Sequence, residues 1–115
     1  MTRNSIVIIL LTVALGCTNV AFAKAWKHGK VNIVESFKDK IYIRWTGPNT
    51  ESCSSNDVTI SAASLGSNAA LDRAFKIALT STVSGKPIRF LLDGCSGNLQ
   101  KGTVVQLCAN SDCSY

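Results

Sequence analysis

Apolar and polar residues alternate along two neighbouring runs, residues 30–37 and 40–46, as they do in β-strands that bury one face. The first run places three apolar side chains on one face, namely Val31, Ile33 and Phe37. The second run does the same with Ile41, Ile43 and Trp45. Because Lys38 and Asp39 alone separate the two runs, we predict a β-hairpin with one face in water.

Farther along the chain the period changes from that of a strand to that of a helix. Residues 57–62 still alternate and predict a third strand. The next apolar positions follow the i, i+3, i+4, i+7, i+8 pattern of an amphipathic helix: Leu71, Ala74, Phe75, Ala78 and Leu79. Ser67 or Asn68 can cap the start of this helix, Gly85 ends it, and Pro87 prevents its continuation.

Two further apolar runs, residues 88–93 and 103–108, predict a fourth and a fifth strand. The predicted order is therefore β-β-β-α-β-β. This order is typical of an α+β, mostly β fold, the five-stranded Greek-key barrel of OB type with one helix between strands 3 and 4. A fold predicted in this way carries no function with it.

Residues 1–23 differ in composition from the rest of the chain, because 15 of these 23 residues are apolar. Arg3 precedes the apolar run Ile6–Leu15, and Ala21-Phe22-Ala23 resembles a cleavage site with small residues at −3 and −1. We therefore predict a signal peptide over residues 1–23, an exported (periplasmic or secreted) protein, and a single OB-like domain over residues 24–115. Alternatively, Cys17 is acylated as the first residue of a lipoprotein.

The predicted mature chain of 92 residues has a modest positive charge. Its eleven basic and seven acidic side chains give +4, and it has no apolar run long enough to span a membrane. Predicted export, this moderate charge and the lack of a basic cluster interleaved with aromatics argue against a nucleic-acid partner. A domain of this size buries a thin core, so disulfides or association with further copies would stabilise it.

Four cysteines remain once Cys17 is set aside, and an exported context favours two disulfides. Four cysteines permit three pairings. Cys108 and Cys113 lie close together near the C-terminus, so we pair them in a small loop, which leaves Cys53 for Cys95. There is no CxxC motif and the single histidine, His28, is remote, so no metal site is expected.

Catalytic chemistry finds little support in the residues. General acid–base catalysis needs paired titratable groups, and neither His28 nor the seven scattered carboxylates form such a motif. We therefore expect a non-enzymatic protein without a cofactor. A small hydrolase or nuclease is the weakest hypothesis, because it would rest on His28 alone.

Binding is the better hypothesis. The wet face of the second strand mixes cations, an aromatic and a hydroxyl, namely Lys40, Tyr42, Arg44 and Thr46, which suits an acidic sugar or a phosphate backbone. A solvated sheet face of no function has the same pattern. Near the mature start, Trp26 beside His28 either stacks on a ligand or pins the N-terminal segment.

Two short stretches resemble a known toxin family. Residues 84–89, SGKPIR, are similar to the helix-to-strand junction TGQPVRI in the B subunits of subtilase cytotoxin and of pertussis-like (typhoid-type) toxins. Residues 104–108, VVQLC, followed by Cys113, resemble their closing strand and paired-cysteine tail. In those B subunits a glycan-contacting Ser follows the N-terminal Trp, where this chain has His28, and their other disulfide joins different elements.

The resemblance implies an OB-fold B subunit, five copies of which form a homo-oligomeric ring, a pentamer. Such a ring binds sialylated glycans on host cells and carries a separate catalytic A subunit. Trp26, His28, Lys40, Tyr42 and Arg44 are then the candidate ligand-binding residues. The alternative is a small monomeric periplasmic or envelope-attached protein that acts as an inhibitor or interaction module.

Overall fold

A computed structural model of the protein describes residues 25–114. The predicted signal peptide, Cys17 included, lies outside the described residues. Six strands are present: β1 (Lys27–Gly29), β2 (Val31–Phe37), β3 (Lys40–Trp45), β4 (Val58–Ser61), β5 (Ile88–Ser96) and β6 (Leu99–Leu107). A short helix α1 (Ala62–Leu65) and a long helix α2 (Asn68–Ser84) lie between β4 and β5.

The six strands form one mixed sheet in the order β1-β5-β6-β4-β3-β2, in which β4 and β6 pair in parallel and the other neighbours are antiparallel. This confirms a mostly β fold with one long helix after the third predicted strand. The expected closed five-stranded barrel is not confirmed, because the order has two ends, β1 and β2.

A strand that the sequence pattern did not predict, β1, precedes the first predicted strand, and Lys30 separates it from β2. The backbone carbonyl of Lys30 accepts a hydrogen bond from the Thr46 amide at 2.9 Å, and its amide donates to Thr46 Oγ1 at 2.9 Å. The segment before Lys30, β1, pairs with β5, and the segment after it, β2, pairs with β3. Residues 27–37 therefore supply both outer strands of the sheet, β1 and β2.

The predicted face of β2 is wrong beyond Val31. A register shift between Val31 and Ile33 reverses the alternation, so that Val34, paired with Ile43, packs partly against the core. Ile33 and Phe37 consequently face outward, with 40% and 50% of their surface exposed. The sequence pattern assumes an unbroken pleat, and one extra residue in a strand moves every later side chain to the other face.

The core lies between the inner face of the sheet and α2. The inward positions predicted for β3 and β5 are all buried: Ile41, Ile43, Trp45, Ile88, Phe90 and Leu92. The rings of Trp45 and Phe90 meet edge to face, with centroids 4.9 Å apart. Gly47 is required beside them, because a Cβ there would lie 2.4 Å from the indole of Trp45.

Helix α2 begins and ends as its sequence predicts. The Ser67 side chain accepts a hydrogen bond from the Ala70 amide, and Gly85 ends the helix in the left-handed conformation. The buried side is narrower than predicted and consists of Leu71, Ala74, Ala78 and Ser81. Leu79 lies outside it, with 44% of its surface exposed.

The structure contains two disulfides, Cys53–Cys95 and Cys108–Cys113, in the expected pairing. The first ties the loop between β3 and β4 to β5, and the second closes a short loop after β6. No helix within residues 25–114 is long and apolar enough to cross a membrane.

Candidate functional site

The five predicted ligand-binding residues fall into two groups on different strands. Three of them, Lys40, Tyr42 and Arg44, project from the outer side of β3. The other two, Trp26 and His28, lie at β1, which pairs with β5 instead.

Tyr42 is the centre of the first group, and its hydroxyl donates a hydrogen bond to Asp57 Oδ2. Asp57 immediately precedes β4 and is 9% exposed. The backbone of Asp57 is fixed on both sides, since its amide donates to Ser55 Oγ at 3.1 Å and its carbonyl accepts from the Gln100 amide at 2.9 Å. The sheet therefore holds this carboxylate in place beneath the tyrosine.

Arg44 approaches the same carboxylate from the solvent side, with Nε 3.8 Å from Asp57 Oδ2 and 56% of its side chain exposed. The hydrogen bond to Asp57 raises the pKa of Tyr42, so the phenol stays protonated at neutral pH. A hydrogen bond with Tyr42 also raises the pKa of Arg44. A neutral donor, a fixed carboxylate and an exposed cation thus lie within one small area.

Strand pairing extends this area across the sheet. The register places Glu35, Tyr42, Thr59 and Lys101 side by side on β2, β3, β4 and β6. We use the name β3 face for this outer surface, which comprises Glu35, Lys40, Tyr42, Arg44, Asp57, Thr59 and Lys101. Two of its members pair with exposed apolar residues of β2, Arg44 with Ile33 and Lys40 with Phe37.

Sequence reasoning missed four residues of the β3 face, namely Glu35, Asp57, Thr59 and Lys101. Asp57 looks like an ordinary turn or capping residue, and Lys101 falls in a stretch with the composition of a turn. In the structure β5 and β6 are both longer than predicted, with Gly97 and Asn98 between them, so Lys101 belongs to a strand. Only the pairing of β4 with β6 reveals that Lys101 lies next to Thr59.

The second group is held by Arg89. Its guanidinium carbon lies 4.3 Å from the centroid of the Trp26 ring, and the same group donates two hydrogen bonds to Gln106 Oε1, at 2.9 and 2.7 Å. A shallow depression of about 480 Å³ adjoins it, lined by Ile77, Arg89, Val105, Gln106 and Leu107. Because Arg89 covers the half-buried Trp26, this arrangement favours the pinning role of the tryptophan.

His28 is exposed and pairs with Arg89 in the strand register. In the C-terminal loop, hydrogen bonds with Ser114 lower the pKa of Asp112, and the proximity of His28 adds slightly to that lowering.

Of the two groups, the β3 face has the chemistry of a binding surface, because it combines an exposed cation with a fixed acceptor, a hydroxyl donor and apolar neighbours. The Trp26 group is occupied with contacts between strands. Comparison of the chain with protein-family models, with curated proteins and with solved structures finds no match.

Proposed function

We propose that this protein is an exported, non-enzymatic glycan-binding protein resembling the B subunit of an AB5-type toxin. The observation that carries the proposal is the arrangement of Tyr42, Asp57 and Arg44 on the β3 face, in which a buried carboxylate orients a phenol beside an exposed guanidinium.

Each of these groups suits a sugar bearing an acid. A guanidinium binds a carboxylate through charge-assisted, often paired, hydrogen bonds, which fits the carboxylate of a sialylated glycan to Arg44. The carboxylate of Asp57 has lone pairs beyond the one that Tyr42 uses and can accept from a sugar hydroxyl. Aromatic rings and apolar side chains, here Tyr42 and Phe37, pack against the C–H faces of a sugar ring.

The path of the chain supports an OB-type fold for this protein. In that fold the first strand contacts two different neighbours, and here residues 27–37 pair first with β5 and then with β3. A helix follows the third long strand in both arrangements. OB folds bind oligosaccharides on the face of their second and third strands. With β1 and β2 counted as the first strand, β3 and β4 are the second and third, and they carry Tyr42, Arg44 and Thr59.

Assembly into a ring, with a separate catalytic A subunit, is the second part of the proposal. Two apolar side chains four residues apart on α2, Leu79 and Val83, are 44% and 81% exposed. Residues at this spacing share one face of a helix. Their exposure supports association with further copies, since a thin core alone gives a domain of this size little stability.

Glycan-array binding and light scattering after size-exclusion chromatography test the proposal together. We expect binding to sialylated glycans, a mass of several subunits, and weaker binding in Arg44→Gln. Lys86→Gln, which removes the same charge from an exposed position after α2, is the matched control. A monomer that binds no glycan would contradict the proposal.

A monomeric periplasmic or envelope-attached inhibitor or interaction module is the second candidate. The exposure of Ile33 and Phe37 beside the cations of the β3 face favours it. Protein interfaces commonly combine an apolar centre with a polar rim. Pull-down from the cell envelope with wild type and Phe37→Ser, together with mass spectrometry of the mature N-terminus, separates the two candidates. Acylated Cys17 and one Phe37-dependent protein partner would favour the module.

A further inference from the structure

We propose that the β3 face binds a linear acidic polysaccharide, with an acidic group on each repeating unit, and that Lys101 contacts it together with Lys40 and Arg44. This inference rests on the proposed glycan binding and defines the class of glycan. A terminal sialylated cap, by contrast, presents one carboxylate to one cation.

The spacing of the three cations is the first argument. Lys101 is paired with Thr59, and Thr59 with Tyr42, so two interstrand steps separate β6 from β3. At ~4.8 Å for each step and ~3.3 Å for each residue along a strand, the Cα atoms of Arg44 and Lys101 are about 12 Å apart. The Cα atoms of Lys40 and Lys101 are about as far apart, because Lys40 lies two residues from Tyr42 on the other side.

The long side chains of Arg44 and Lys101 would both reach a single carboxylate only by extending toward each other across Tyr42 and Thr59. When they lie side by side, each meets a different part of a bound chain. A polysaccharide lying across the strands, from β3 to β6, passes over Tyr42 and Thr59 and brings successive acidic groups to Arg44 and Lys101. The ladder of pairs therefore fits an extended ligand better than a compact one.

The acidic members of the face do not cancel this charge. The Asp57 side chain is 12% exposed and is engaged by Tyr42 and Arg44, so it presents little negative charge to a ligand. Glu35 lies on β2, away from β6, and its charge acts on Arg44. The three cations of the β3 face exceed its two carboxylates by one, and this excess complements a polyanion.

The test measures the affinity of the folded mature protein for two probes, a heparin-derived octasaccharide and sialyllactose, at several salt concentrations. We expect the octasaccharide to bind more tightly and to lose affinity as salt rises. Arg44→Gln and Lys101→Gln should each weaken it, on the order of two- to fivefold. Each should also reduce the slope of log affinity against log salt by about 1. Lys86→Gln should change neither the affinity nor this slope. All three variants should keep the melting temperature of the wild type.

The outcomes distinguish this inference from the function on which it rests. If sialyllactose binds through Arg44 while the octasaccharide does not bind, the polysaccharide inference is overturned and the glycan-binding proposal stands. If Lys101→Gln binds the octasaccharide like Lys86→Gln, the role of Lys101 is overturned. If neither probe nor any arrayed glycan binds, both proposals fail.

Discussion

The guanidinium of Arg89 lies over the indole ring of Trp26, 4.3 Å from the ring centroid. Gln106 holds that guanidinium from the other strand through two hydrogen bonds to one oxygen. The contact links the residue just before β1 to the pair of Arg89 and Gln106, near the start of β5 and the end of β6. It therefore fastens β1, which is only three residues long, to the sheet.

Replacing Trp26 with Ala should lower the free energy of unfolding by ~1–2 kcal/mol, because the cation–π contact is lost and the half-buried ring no longer covers Arg89. Trp26→Phe, which keeps an aromatic face, should lose less. Denaturant unfolding measures both, and glycan binding at the β3 face should not change in either variant. Unchanged stability with lost glycan binding in Trp26→Ala would instead make Trp26 a ligand residue.

Tyr42 should make the stability of the protein sensitive to alkaline pH. Its pKa is raised in the folded state by the hydrogen bond to Asp57, whereas the pKa of an unfolded tyrosine is close to the ordinary value of 10.0. The folded state thus binds the proton more tightly, and this part of the stability is full below pH 10 and is lost as pH rises through the raised pKa.

The contribution of Tyr42 is obtained by comparing the pH dependence of stability in the wild type with that in Tyr42→Phe. The lysines titrate in both proteins, so their effect cancels in the difference. The variant should be less stable at pH 7 by ~1–3 kcal/mol, because the largely buried Asp57 carboxylate loses a donor. The difference in unfolding free energy should shrink above pH 10. A difference that stays constant between pH 7 and pH 11 would contradict the role of this hydrogen bond.

Local patterns predicted the parts of the fold that depend on local physics. The start and end of α2 follow from Ser67 and Gly85, and the inner face of β3 follows from alternation. The outer face of β2 was not predictable, because the register shift after Val31 arises from pairing with β3. Tyr42 and Arg44 were identified as candidates, but Asp57 and Lys101 join them only through contacts between distant strands.

Gln100 is another residue whose role depends on distant contacts. It has no exposed surface. Its side-chain amide makes four hydrogen bonds, all of them to the backbone of the loop between β3 and β4. Oε1 accepts from the amides of Thr50 and Glu51, at 2.9 and 3.3 Å, and Nε2 donates to the carbonyls of Pro48 and Asn56, at 3.0 and 2.8 Å.

Gln100→Leu should therefore destabilise the protein by ~2–4 kcal/mol, because the amides of Thr50 and Glu51 and the carbonyl of Pro48 lose their partner, while the carbonyl of Asn56 keeps only the Trp45 indole. Gln100→Glu keeps the two accepted bonds but places a fully buried carboxylate against the carbonyls of Pro48 and Asn56, so it should lose at least as much. Chemical denaturation gives the totals, and hydrogen exchange at the amides of Thr50 and Glu51 reports the loop directly. Unchanged protection of these amides in Gln100→Leu would show that the loop is held by other contacts.

The two disulfides should differ in their contribution to stability. Cys53–Cys95 spans 42 residues of sequence and Cys108–Cys113 spans 5. By the entropy of the loops that they close in the unfolded chain, removing the first as a Cys→Ala pair should cost ~4 kcal/mol and removing the second ~2 kcal/mol. Thermal unfolding of the two double variants measures the order. Equal losses would mean that strain or residual structure outweighs loop closure.

Leu79 and Val83 provide a test of assembly that does not depend on the ligand. Val83 is 81% and Leu79 44% exposed on one face of α2, so Leu79→Ser with Val83→Ser removes part of the buried surface of Leu79 and little of that of Val83. We expect the double variant to remain folded, to lose about 1–2 kcal/mol of stability from lost burial and lower helix propensity, and to elute as a monomer. Arg73→Ser, at an exposed position on the same helix, is the control and should keep the oligomeric mass. If the double variant has the same mass as an oligomeric wild type, the subunits meet through another surface, and the edge of β2 with Ile33 and Phe37 is then the next to be altered.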